Sequence, residues 1–167
     1  MNLKKLWILN IKIAMNNCKE CYLISENKEC YSEGTVCKEH NKRFTVARKS
    51  DKFEKICKIK IDGCVFAKTD KPEKCDYLFI RCKTKDFYFV ELKGKDYEHA
   101  YNQIIATINS IKKKTNIQQN QIYGFMITTG LPSCANQKFL RLKERFENKD
   151  RIGNKLIKAT NDYQHII

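Results

Sequence analysis

Punctuation is scarce in this sequence. Two prolines occur in 167 residues, and no Gly/Ser-rich or repetitive tract is present. These absences leave no obvious linker between domains, and no internal repeat points to a solenoid. Long hydrophobic runs are also lacking. Lys4 and Lys5 followed by Leu6-Trp7-Ile8-Leu9 imitate a signal peptide, but Asn10 and Lys12 interrupt the run and no small-x-small cleavage site follows. The stretch is far too short to span a bilayer, so no membrane association is expected. Arginine is sparse, at six residues against 27 lysines.

What is present is enough for a folded core. Hydrophobic residues make up 42% and charged residues 31%, which excludes wholesale disorder. The formal charge of +14 would attract polyanions, above all nucleic acid. The same Lys-, Asn- and Ile-rich mixture is what an AT-rich genome writes by codon bias, so charge alone decides nothing. Nine cysteines are many, and their odd number would leave one thiol over in a disulfide framework. Without a signal peptide, the expectation is a cytoplasmic protein with reduced or metal-bound cysteines.

Residues 16–42 are rich in Cys, Glu, Lys and Asn and poor in aliphatics. They form a candidate small N-terminal module (residues 1–42) ahead of a main domain (residues 43–167). Cys18-x2-Cys21 is followed by Cys37-x2-His40, a spacing that suits tetrahedral zinc, with Cys30 as a spare ligand. A structural zinc would staple a segment too poor in aliphatics to fold alone. The alternative is that the cysteines act as small hydrophobes, as expected of Cys57, Cys64, Cys75, Cys82 and Cys134.

Beyond residue 42, two β-like runs cover residues 43–47 and 56–67, the second shifted in phase at Gly63. Residues 68–74 read as a turn. Residues 75–82 and 87–93 are dense in aromatic and β-branched side chains and read as strands joined by a hairpin at residues 83–86. Asp96 can cap a helix whose Tyr97, Tyr101, Ile104, Ile108 and Ile111 recur at helical spacing. A further strand spans residues 122–129, and residues 136–148 form a basic helix. The order β-β-β-α-β-α predicts an α/β fold.

Alternation places Glu91 and Lys93 on one strand face with Phe87 and Phe89. With a tight turn at residues 83–86, Asp76 falls opposite Lys93 and Leu78 opposite Glu91, so the three charged groups share a face. A slip of one residue would send Asp76 to the other face. Two carboxylates can hold Mg²⁺, which favours oxygen ligands. A metal so placed generates hydroxide and stabilises a leaving oxygen, and a neighbouring lysine offsets charge in the transition state. An ordinary salt bridge at a strand end reads equally well from spacing alone.

Cys75-Asp76-Tyr77-Leu78 followed by Phe89-Val90-Glu91-Leu92-Lys93-Gly94 resembles the PD-(D/E)XK nuclease superfamily, which has an acid at a strand start, an acid-x-Lys on the next strand, then a helix and another strand. The resemblance covers about residues 56–130. It departs at Cys75, where the pattern has proline. It implies a restriction-endonuclease-like core, with a mixed central sheet flanked by helices, and Mg²⁺ or Mn²⁺ held by Asp76 and Glu91, with Lys93 catalytic. It also implies an upstream acid, for which Asp62 is the candidate and Glu54 and Glu39 are competitors. Gln103, on the following helix, would have an active-site role. The expected activity is a metal-dependent endonuclease acting on DNA in restriction, defence or repair, with a homodimer expected by analogy. The alternative is a nucleic-acid-binding protein on the same fold with little or no catalysis. Lys138, Arg141, Lys143 and Arg145 are the candidate phosphate contacts, although a solvated helix face would look the same.

Overall fold

The computed structural model describes residues 18–49, 53–92, 96–130 and 135–167. Lys93, Cys134 and the N-terminal apolar run lie outside them. Among the described residues, no helix is long and apolar enough to cross a membrane.

The elements in chain order are α1 (Lys19–Ile24), β1 (Tyr31–Glu33), β2 (Val36–Glu39), β3 (Lys42–Ala47), β4 (Ile56–Lys60), β5 (Tyr77–Arg81), β6 (Asp86–Leu92), α2 (Tyr97–Lys112), β7 (Ile122–Thr128), α3 (Ala135–Glu144), β8 (Lys155–Thr160) and β9 (Asp162–Ile166). Six strands form a mixed sheet in the order β1-β4-β5-β6-β7-β8, antiparallel from β1 to β6 and parallel from β6 to β8. A second sheet, β2-β3-β9, joins an antiparallel hairpin to the parallel C-terminal strand.

The large sheet is covered on both faces, which explains why β5 and β6 are apolar almost throughout. Leu78, Ile80, Phe87 and Phe89 pack in one cluster with Ile104 and Ile108 of α2 and Ile24 of α1. Phe79, Tyr88, Val90, Leu92, Phe125 and Ile127 pack in the other with Phe44 and Val46 of the small sheet. The Phe44 ring lies 4.7 Å from that of Phe125 and 5.5 Å from that of Phe79, so one aromatic side chain pins the small sheet to the large one.

The α/β class and mixed central sheet are as the sequence predicts, and so is the Asp96 cap, whose carboxylate accepts from the His99 backbone N–H at 3.0 Å. Several elements differ. The run over residues 56–67 is a strand only to Lys60, after which the chain turns, with Gly63 at φ 74°. Residues 18–42 supply α1, β1 and β2. β1 belongs to the large sheet and β2 to the small one, and a boundary after residue 42 would cut β3. The cysteines expected to be reduced or metal-bound are largely paired: Cys18–Cys82, Cys21–Cys57 and Cys30–Cys64 are disulfides, and Cys37 and Cys75 are free and buried.

Candidate active site

The β5–β6 register decides what meets at the strand ends. Tyr77 pairs with Val90 and Leu78 with Phe89, and the last pair is Arg81 with Asp86. The connection is therefore the four residues Cys82 to Lys85, closed by Lys85 N–H donating to Arg81 O at 2.8 Å with Lys85 at φ 61°. The expected pairing of Asp76 with Lys93 is corrected by two residues, and Asp76 comes beside Glu91. A shift of two preserves the face, so the carboxylates still converge.

They do so through reciprocal hydrogen bonds. The Asp76 backbone N–H donates to Glu91 Oε2 at 3.2 Å, and the Leu92 N–H donates to Asp76 Oδ2 at 2.7 Å. Each strand's backbone thus holds the other strand's carboxylate in a fixed orientation. Glu91 is almost fully buried, at 1% exposure. An ionised side chain at that depth needs charge-assisted donors or a cation to offset lost hydration.

A cleft of about 560 Å³ opens at this end of the sheet, lined by Glu39, His40, Lys42, Asp62, Lys68, Glu73, Asp76, Glu91, Leu92 and Gln103. The β2–β3 hairpin supplies its roof. Glu39 pairs with Lys42, and His40 turns the chain at φ 50°. Asp62 arrives because Ile61 N–H donates to Asp76 O at 2.9 Å, which puts the next residue at the cleft wall. Burial pushes the Asp76 carboxyl up to about 6; the Leu92 N–H opposes the rise, and the negative charges of Glu39 and Asp62 add to it.

Gln103 reaches the cleft from α2. Its Nε2 donates to Lys74 O at 3.1 Å, and its Oε1 is buried with no hydrogen-bond partner among the described residues. One turn further, Thr107 Oγ1 accepts from Cys75 N–H and donates to Gln103 O, both at 2.8 Å. Helix α2 therefore grips the segment that delivers Asp76.

Asp76, Glu91, Asp62 and Gln103 are thus brought together, with Glu39 as an additional acid. Glu54 is not among them; its Oε1 accepts from Arg81 Nε at 2.6 Å at the far end of the hairpin. Lys42 was missed by the sequence reading. It is 8% exposed, and its burial at the end of a short polar turn leaves no periodic signal. Among the described residues, no group of three or more His, Cys, Asp or Glu side chains is placed to hold a metal ion.

The Cys18, Cys21, Cys37 and His40 grouping is not formed. Cys18 and Cys21 lie in the helix-side cluster, whereas Cys37 lies in the cluster between the sheets, so the large sheet separates them. Burial pushes the Cys37 thiol up to about 12, and His40 sits at the cleft. On α3, Lys138 and Arg141 are exposed. Lys143 pairs with Glu147, and Arg145 pairs with Asp150 at 3.0 Å. In comparisons with known proteins, no family model, curated protein or solved structure matches this chain.

Proposed function

We propose that this chain is a metal-dependent nuclease that hydrolyses phosphodiester bonds, DNA in the first instance, on a restriction-endonuclease-like core. The observation that carries this reading is the reciprocal clasp of Asp76 and Glu91 in an open cleft further lined by Glu39 and Asp62. Burial, with the negative charges of Glu39 and Asp62 adding to it, pushes the Asp76 carboxyl up to about 6. That donor set fits a hard divalent cation, which takes carboxylate oxygens and keeps several waters.

Asp76 and Glu91 would hold Mg²⁺ or Mn²⁺, with Asp62 or Glu39 as the further acid. The bound ion would lower the pKa of a coordinated water and offset charge on the phosphate. Lys42, at the cleft wall, is placed to attract the phosphate chain. Lys93 is the proposed catalytic lysine on the strength of the motif, one residue past the end of β6. Gln103 holds Lys74 O and so fixes the approach of Asp76. A homodimer with one site per strand, and a cytoplasmic setting where nucleic acid is met, belong to the same proposal.

The test is incubation with plasmid, single-stranded DNA and RNA in Mg²⁺, Mn²⁺ or EDTA, beside Asp76→Ala, Glu91→Gln and Lys93→Ala. The expected result is cation-dependent cleavage, lowered on the order of 10²–10³-fold by each substitution, the scale of losing one transition-state-stabilising group. Cleavage that survives EDTA or all three substitutions would discard the reading. Salt-sensitive binding without cleavage would replace it with a nucleic-acid-binding role.

A further inference from the structure

Two of the three disulfides among the described residues share one location. Cys18 precedes α1 and Cys21 lies one turn in, with Cys21 N–H donating to Cys18 O at 3.0 Å. Residues three apart on a helical turn present their side chains to the same side. Beneath them run β4 and β5. Cys57 pairs with Ile80, and Cys82 N–H continues the ladder by donating to Lys55 O at 3.1 Å. Cys57 and Cys82 are therefore diagonal neighbours on one face of the sheet, within roughly 7–8 Å. It is the helix-side face, shared with Ile59, Leu78 and Ile80.

The two halves meet. The Cα atoms of Cys18 and Cys82 are 5.2 Å apart, and those of Cys21 and Cys57 are 6.9 Å apart. Two cysteines from the start of α1 and two from the β4–β5 ladder thus lie together on the helix-side face of the sheet. Cys18, Cys21 and Cys57 are at most 7% exposed. A small pocket of about 150 Å³, lined in part by Cys18, Cys57 and Cys82, opens beside them and supplies an entry path. The third disulfide, Cys30–Cys64, ties the short 3-10 turn before β1 to the loop after β4 and takes no part.

We propose that, in the thiol state, Cys18, Cys21, Cys57 and Cys82 bind one structural Zn²⁺ as four thiolates. Four thiolates would make a closed tetrahedral site, with Zn–S distances of about 2.3 Å and each thiol surrendering its proton on binding. Reaching that state from the paired one takes two electrons and two protons per disulfide, supplied by a dithiol that is itself oxidised to its disulfide. The zinc would pin α1 to the β4–β5 ladder, fastening the N-terminal segment to the sheet. The pairing of helix and sheet cysteines makes the same covalent connection in an oxidising medium.

The test uses full-length protein made in a reducing cytoplasm and purified with a thiol reductant and no chelator. Metal analysis should find one zinc per chain. Cobalt exchanged for it should give sulfur-to-metal charge-transfer absorption of a four-thiolate site. Zinc should be lost in Cys57→Ser and Cys82→Ser and kept in Cys37→Ser, His40→Ala and Cys30→Ser. Should the strand variants fail to fold, alkylation mapping of the unmodified protein gives the same answer. Cys18, Cys21, Cys57 and Cys82 should be protected and become reactive together once a strong chelator is added. Several results would overturn the assignment: Cys18–Cys82 and Cys21–Cys57 disulfide peptides in a non-reduced digest of that preparation, iron in place of zinc, no metal, or loss of zinc in Cys37→Ser or His40→Ala.

Discussion

Asp76 carries an unusual load for a strand-end residue, and its electrostatics make a testable sign. Its carboxyl pKa is raised from 3.8 to about 6, by burial first and then by the charges of Glu39 and Asp62. A raised acid binds more protons folded than unfolded between those two values, so stability falls as pH rises through that window and stays low above it. The shift corresponds to at most roughly 3 kcal/mol at neutral pH. Asn can still accept the Leu92 N–H without the charge. Asp76→Asn should therefore raise Tm at pH 8 in chelator by several degrees, since about 1 kcal/mol moves Tm by about 2–4 °C at this size. The gain should shrink towards zero near pH 4, as followed by differential scanning fluorimetry. Added Mg²⁺ should raise the Tm of the native sequence but not that of the variant, and its effect should weaken below about pH 6 as protons compete for the same oxygens. A variant less stable than the native chain at pH 8 would show that Asp76 is not a destabilised charge.

At the scale of elements, the cleft depends on where the β2–β3 hairpin rests, and Phe44 sets that position. Phe44→Ala empties a site between the sheets and should cost about 3–5 kcal/mol in denaturant unfolding. It should also speed proteolysis at the exposed tip around His40 and Asn41 more than at α2. A second packing prediction concerns Gly153, where an added Cβ would meet Phe146 ring atoms at 2.3 and 2.6 Å. The ring is itself buried at 0% exposure, so Gly153→Ala should destabilise by about 1–3 kcal/mol. The sequence made the β5–β6 hairpin and α2 readable, because aromatic strands and a capped period-3.6 stripe are local signals. Parity between Asp76 and Glu91 was readable as well, although the turn was misplaced, because a two-residue slip leaves faces unchanged. β1, β2, β8 and β9 were missed because they are short or half-polar, and all but β2, which forms a hairpin with β3, find their partners well away along the chain. β3 pairs with β9 across more than a hundred residues. The zinc spacing misled for a related reason. Cys37-x2-His40 lies close in sequence to Cys18-x2-Cys21, yet the large sheet stands between them, while Cys57 and Cys82 show no pairing in sequence and meet only through strand register.

For the molecule as a whole, the question is how much of the +14 charge is aimed at a polyanion. Charges already satisfied within the protein contribute little to binding, because moving them to a phosphate breaks an existing pair. On α3 and the turn that follows it, that sorts the candidates. Lys143 and Arg145 are engaged with Glu147 and Asp150, and Arg145 also lies over the Tyr101 ring at 5.8 Å. Lys138 and Arg141 are exposed on the same helix. Each phosphate neutralised on duplex DNA contributes about 0.9 to the slope of log K against log salt. If α3 lies along the backbone, Lys138→Gln with Arg141→Gln should flatten that slope by roughly 1.8 and weaken binding of all sequences alike. Lys143→Gln with Arg145→Gln should change the slope by less than half as much and lower Tm instead. Fluorescence anisotropy with a short duplex at four or more salt concentrations separates these outcomes. An unchanged slope in the first double variant would mean that the helix faces water and that the phosphate path runs elsewhere, past Lys42 and Lys68 at the mouth of the acidic cleft.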